Sequence, residues 1–134
     1  MNDQISAAPV FNIADFEARD TAWLEVQNKK DDGPLLGAGG LPVRIEVRSP
    51  GTKEAMDSQH RIDTAATIKT YAAMRGKHSK ETVEGNIAQR AEKLCAVTTQ
   101  IENFPVSAKD LYSNPKLGFI TEQVSRFHSG WENF

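Results

Sequence analysis

Three histidines, one cysteine and a few neighbouring acids are the groups in this chain whose types could carry chemistry. His60, His78 and His128 lie far apart, and none sits in an HExxH or Cys/His cluster of the kind that holds a metal. His60 and Asp63 stand at helical spacing, which suits a surface ion pair better than a ligand set. Cys95 could act as a nucleophile beside a distant histidine, but it falls next to an apolar helical stripe, where a cysteine behaves as a small buried hydrophobe. Gly37, Gly39 and Gly40 invite comparison with a phosphate loop. No Gly-Lys-Ser/Thr follows them, and Pro42 opens a strand where a phosphate loop needs a helix N-terminus. Asp31 and Asp32 lie in a glycine-rich stretch with nothing to desolvate one acid and raise its pKa, as general acid catalysis requires. The expectation is a chain that is not an enzyme, with no catalytic residue, no cofactor and no metal.

Large apolar side chains remain as candidates. Leu117, Ile120, Val124, Phe127 and Trp131 are spaced 3, 4, 3 and 4 residues apart, the strongest amphipathic pattern in the sequence, and Phe134 follows. These six are the candidate partner-binding residues. The same stripe could instead be the seam that holds a terminal helix on the body. Trp23 is a further aromatic with the same two readings.

The elements that must position these groups follow from periodicity. Thr21 to Val26 and Pro42 to Arg48 read as strands. Val43, Ile45 and Val47 alternate with Arg44, Glu46 and Arg48, so one face is apolar and the other charged. Together they predict an antiparallel hairpin over 21–48 with a long, mobile glycine-rich loop. Ser49-Pro-Gly-Thr then opens a first helix over about 53–75, with Ala55, Gln59, Ile62, Ala65, Ala66, Ala72 and Ala73 near one stripe and Met56, Ile68 and Tyr71 flanking it. Gly76 is a stop and Ser79 an N-cap for a second helix over about 80–103, which uses Val83, Ile87, Ala91, Leu94, Thr98 and Ile101. Ala108 to Tyr112 suits a turn of helix. Asn114 as cap and Pro115 at the first position start a third long helix over about 115–129. Residues 1–20 read as a flexible arm that frays at Met1 to Pro9, with Phe11, Ile13 and Phe16 available to dock it. The predicted fold class is α+β: one domain over 21–134, with an N-terminal β-hairpin packed on a small, mostly antiparallel bundle of about three helices.

Composition bounds the function. The chain has 134 residues, enough for one domain, with 39% apolar and 25% charged residues. No apolar run approaches the roughly 18 residues of a membrane span, and Met1-Asn-Asp-Gln lacks the basic start of a signal peptide, so no membrane partner is expected. A single cysteine suits a reducing cytoplasm. Net charge is −2, unevenly spread: residues 44–80 carry 8 basic and 4 acidic residues between two acidic ends. That basic middle raises a small DNA-binding or anti-host regulator as one alternative. The overall charge, and Glu81 and Glu84 at the start of the second helix, argue against nucleic acid.

Three segments, read together, resemble the tail assembly chaperones of long-tailed bacteriophages. They are the strand–loop–strand start, Thr21-Ala-Trp-Leu-Glu-Val with Gly40-Leu-Pro-Val-Arg-Ile-Glu-Val and Ser49-Pro-Gly-Thr-Lys-Glu; the polar, alanine-rich helix pair; and the ending. The ending runs Leu111-Tyr-Ser-Asn-Pro-Lys-Leu-Gly-Phe-Ile-Thr-Glu-Gln-Val124, then Phe127 and Trp131-Glu-Asn-Phe134. The resemblance covers Thr21 to Phe134. It implies a non-enzymatic role in viral morphogenesis: binding the tape-measure protein and helping to recruit tail-tube subunits, in the host bacterial cytoplasm, with the chaperone absent from the mature virion. In that family a longer form is often made by ribosomal frameshifting, and an end at Phe134 would fit the shorter form. Self-association stands beside these as a further partner class. The leading alternative is a structural tail completion or connector protein retained in the virion.

Overall fold

The computed structural model describes residues 10–76 and 82–134. The alternating Val43, Ile45 and Val47 sit at the centre of the molecule, all at 0% exposure. Strand β1 (Thr21–Glu25) pairs antiparallel with β2 (Arg44–Arg48), Trp23 opposite Glu46 and Leu24 opposite Ile45. Helices α1 (Lys53–Met74) and α2 (Val83–Val97) follow, then a third strand β3 (Thr98–Glu102), a short α3 (Ala108–Ser113) and α4 (Gly118–Ser129). The strand order is β1-β2-β3, all antiparallel, which makes the fold α+β.

Strand β3 corrects the expected helix over 80–103. The helix ends at Val97, and Thr98 to Glu102 lie alongside β2 with Ile101 opposite Ile45. Val97, Thr98, Thr99 and Ile101 are β-branched, stiff at χ1 and at home on a pleated surface. Pairing also satisfies the second edge of β2, which a two-stranded hairpin would leave bare. Thr98 makes the transition, its hydroxyl donating to the Leu94 carbonyl at 2.8 Å. The expected start of that helix at 80–81 and its cap at Ser79 lie outside the described residues. Thr82 is the observed cap, accepting from the Gly85 amide at 2.9 Å.

The other termini follow their caps. Thr52 accepts from the Ala55 amide to open α1, and Gly76 follows its end at φ +79. Ser107 caps α3. Asn114 and Pro115 open a single 3-10 turn, Pro115–Leu117, before α4 begins at Gly118, so the expected helix over 115–129 is a turn and a helix.

The connection between β1 and β2 is not the free loop expected. The backbones of Val26, Leu35 and Val43 bond to one another: Leu35 N donates to Val26 O at 2.9 Å and Val43 N to Leu35 O at 2.8 Å. Its tip is pinned to the far end of β3, where Ala38 N donates to the Asn103 carbonyl at 2.7 Å. A Cβ on Gly37 would collide with that same carbonyl oxygen, so only glycine fits.

The core lies between the apolar face of the sheet and helices α2, α3 and α4. It is built from Val26, Val43, Ile45, Val47, Leu94, Val97, Leu111, Ile120 and Val124, all at or near 0% exposure, with Ala91 and Tyr112 beside them. Each such aliphatic side chain contributes about 1.5–3 kcal/mol by leaving water. Helix α1 stands largely outside this core. Of its 22 residues only Ala55 and Ser58 are buried, with Ile62 and Ala72 half-buried. The Arg61–Glu92 ion pair at 3.4 Å ties it to α2. The arm does not dock as expected: Phe11, Ile13 and Phe16 are 68–76% exposed, and Phe11 stacks on Phe16 at 5.3 Å. Arg19 holds the described part of the arm instead, with its backbone and guanidinium donating to the carbonyls of Phe134 and Asn133.

Candidate functional site

The candidate partner-binding residues divide by depth. Ile120 and Val124 are at 0% exposure and pack α4 on the core under β2. Leu117, Phe127 and Phe134 are half-buried against the same core, and Phe127 meets Phe134 edge-on at 5.5 Å. Trp131 alone of the six is open, at 58% exposure. The stripe therefore holds α4 in place and presents one large aromatic at its end.

Trp131 lies in a single 3-10 turn, Trp131–Asn133, after Gly130 ends α4. Its ring covers Gly51, where a Cβ would come within 3.3 Å of the indole. Asn133 fixes the turn by donating its side-chain amide to the Phe127 carbonyl at 2.9 Å. A groove of about 280 Å³ opens beside the indole, lined by Pro50, Met56, Gln59, Lys93, His128 and Trp131 among others. Met56 is 56% exposed, so the groove has two open apolar walls from distant parts of the chain. In the sequence Met56 only flanks the α1 stripe. Its meeting with Trp131 has no sequence signal, because it depends on how α1 leaves β2.

His128 forms part of the groove and is 6% exposed. Its Nδ1 lies 2.8 Å from the Arg48 carbonyl. A carbonyl only accepts, so Nδ1 carries the proton and the neutral ring turns Nε2 away as an acceptor. Burial pushes its pKa down, against the Arg48 hydrogen bond that raises it, and Lys93 pushes it further down. Cys95 is half-buried, and burial pushes its thiol up, away from the reactive thiolate. Tyr112 is pushed up to about 12 by burial, with its hydroxyl 2.6 Å from that of Thr98. Asp63 accepts from Gln59 at 2.9 Å within α1. His78 lies outside the described residues. Among the described residues no group of three or more His, Cys, Asp or Glu side chains could hold a metal ion, and no helix is long and apolar enough to cross a membrane.

Trp23 lies on the other, polar face of the sheet, under the Arg44 guanidinium at 4.5 Å. Glu46 beside it accepts from the hydroxyls of Thr21 and Thr99. That face is a polar network in which Trp23 is half-buried.

No family model matches the sequence, and no solved structure matches it significantly. Curated proteins similar to the chain include 3D-(3,5/4)-trihydroxycyclohexane-1,2-dione hydrolases from two strains of Clostridium perfringens. One is 41% identical over 117 residues, covering 78% of this chain and 17% of the hydrolase. The other is 30% identical over 115 residues, covering 77% of this chain and 17% of the hydrolase. The chain thus spans about a sixth of the length of the curated relatives it matches.

Proposed function

We propose that this chain is a non-enzymatic tail assembly chaperone of a long-tailed bacteriophage. It binds the tape-measure protein in the host cytoplasm, helps recruit tail-tube subunits, and is left out of the mature virion. In this reading the chaperone body is the three-stranded antiparallel sheet with its helices packed on one face. The ordered likeness of the segment Leu111 to Phe134 to that family supports the reading. The observation that carries it is the groove beside Trp131. Two exposed apolar side chains, Met56 and Trp131, flank a hollow lined by the start of α1, the end of α2 and the end of α4. An apolar helix face of a client could lie there, and aromatic anchors of this kind dominate binding energies. His128 holds Nδ1 on a backbone carbonyl, and burial pushes the Cys95 thiol up, away from thiolate.

Trp131→Ala tests the groove. The ring is 58% exposed, so the variant should keep the wild-type melting temperature to within a few degrees while losing most of its binding to the tape-measure protein. Unchanged binding by a folded Trp131→Ala protein would remove the groove from the account. Mass spectrometry of purified virions separates the chaperone from a connector or tail completion protein, since the chaperone should be missing from the particle.

A further inference from the structure

Helix α1 carries a second stripe that the described residues engage only through exposed ion pairs. Asp57, Arg61, Thr64, Ile68, Tyr71 and Arg75 are spaced 4, 3, 4, 3 and 4 residues apart, the repeat that keeps one stripe of a helix facing a partner helix. All six are exposed. Ile68 and Tyr71, at 64% and 58% exposure, form its apolar middle and line a shallow hollow of about 410 Å³ with Ala72 and Arg75. The most buried residues of α1, Ala55, Ser58 and Ile62, lie on a different side of the helix.

We propose that α1 pairs with α1 of a second copy of this chain, antiparallel, along this seam. The pattern is self-complementary when the two helices are opposed about the midpoint between Thr64 and Ile68. Asp57 then meets Arg75 of the second copy, Arg61 meets Tyr71, and Thr64 meets Ile68. The two-fold axis repeats each pair. Acid faces base at both ends, and a guanidinium faces a tyrosine ring. In the middle the smaller Thr64, which offers a methyl group, faces the larger Ile68. A parallel pairing would set Asp57 on Asp57, Arg61 on Arg61 and Arg75 on Arg75, three repulsive layers. The seam residues are weakly engaged at present: Asp57 with Lys53 at 2.7 Å and Arg61 with Glu92 at 3.4 Å are exposed pairs that can be shared or exchanged. A contact along one helix, about 27 Å from Asp57 to Arg75 at 1.5 Å per residue, falls short of the roughly 800 Å² per partner of a stable interface. The dimer is therefore reversible and depends on concentration.

The test is sedimentation equilibrium of the full chain over a wide concentration range. The wild type should show a reversible monomer–dimer equilibrium. Ile68→Glu should be monomeric with an unchanged circular dichroism spectrum. Asp57→Arg and Arg75→Glu should each weaken the dimer at least tenfold, and the double variant, or an equimolar mixture of the two single variants, should restore it. A wild type that stays monomeric throughout would overturn the proposal and leave the seam to a helix of another protein. An oligomer indifferent to Ile68→Glu, or a double variant as weak as the singles, would also overturn it.

Discussion

Ser58 and His128 are the two buried polar side chains whose surroundings make opposite predictions. Ser58 is at 0% exposure and its hydroxyl has no hydrogen-bond partner among the described residues. A buried, unpaired hydroxyl costs about 1–3 kcal/mol, so Ser58→Ala should leave stability unchanged or raise it by about 1 kcal/mol in urea melts. A loss of stability would mean the hydroxyl has a partner. His128 is paired, and its pKa in the folded protein lies below the ordinary 6.5 because of burial. The unfolded chain therefore binds more protons over the window from about 6.5 down to the folded value. Stability from this group is complete above that window and is lost as pH falls through it. His128→Gln, which can still donate to the Arg48 carbonyl, should flatten the fall in unfolding free energy between about pH 7 and pH 5. An equally steep fall in the variant would assign the acid sensitivity to other groups. Neither environment is legible in the sequence, where Ser58 is one polar residue of a polar helix and His128 one of three scattered histidines.

At the scale of elements, the connection between β1 and β2 and the strand β3 depend on one another. Gly37 lies against the Asn103 carbonyl and Val43, and a methyl there must push the loop off the end of β3. Gly37→Ala should cost about 1–3 kcal/mol, measured as a lowered denaturation midpoint with an unchanged slope. A neutral variant would show that the loop is not pinned. The strands of the hairpin are readable because a period of two has no competing interpretation in Pro42 to Arg48. Strand β3 is not, because Leu94, Thr98 and Ile101 fit a helical spacing as well as they fit the end of a helix followed by a strand. The deciding fact is tertiary: β2 is central and needs a second partner. The α4 stripe is legible as a pattern. Its division into buried Ile120 and Val124 and open Trp131 is not, because Gly130 breaks the helix and the last turn swings the indole over Gly51.

For the whole molecule, a sheet-and-helix body carries a helix, α1, that buries only two of its residues, and an open groove where α1 meets the C-terminal turn. We propose both as surfaces for other helices, and the proposed chaperone role rests on the groove. The most direct measurement is co-expression of this chain with the tape-measure protein of the same phage, followed by size exclusion with light scattering, with the tape-measure protein alone run beside it. The client should aggregate alone and elute with this chain as a defined complex bearing many copies of it. A client whose behaviour is unchanged, with this chain eluting separately, would contradict the proposed role.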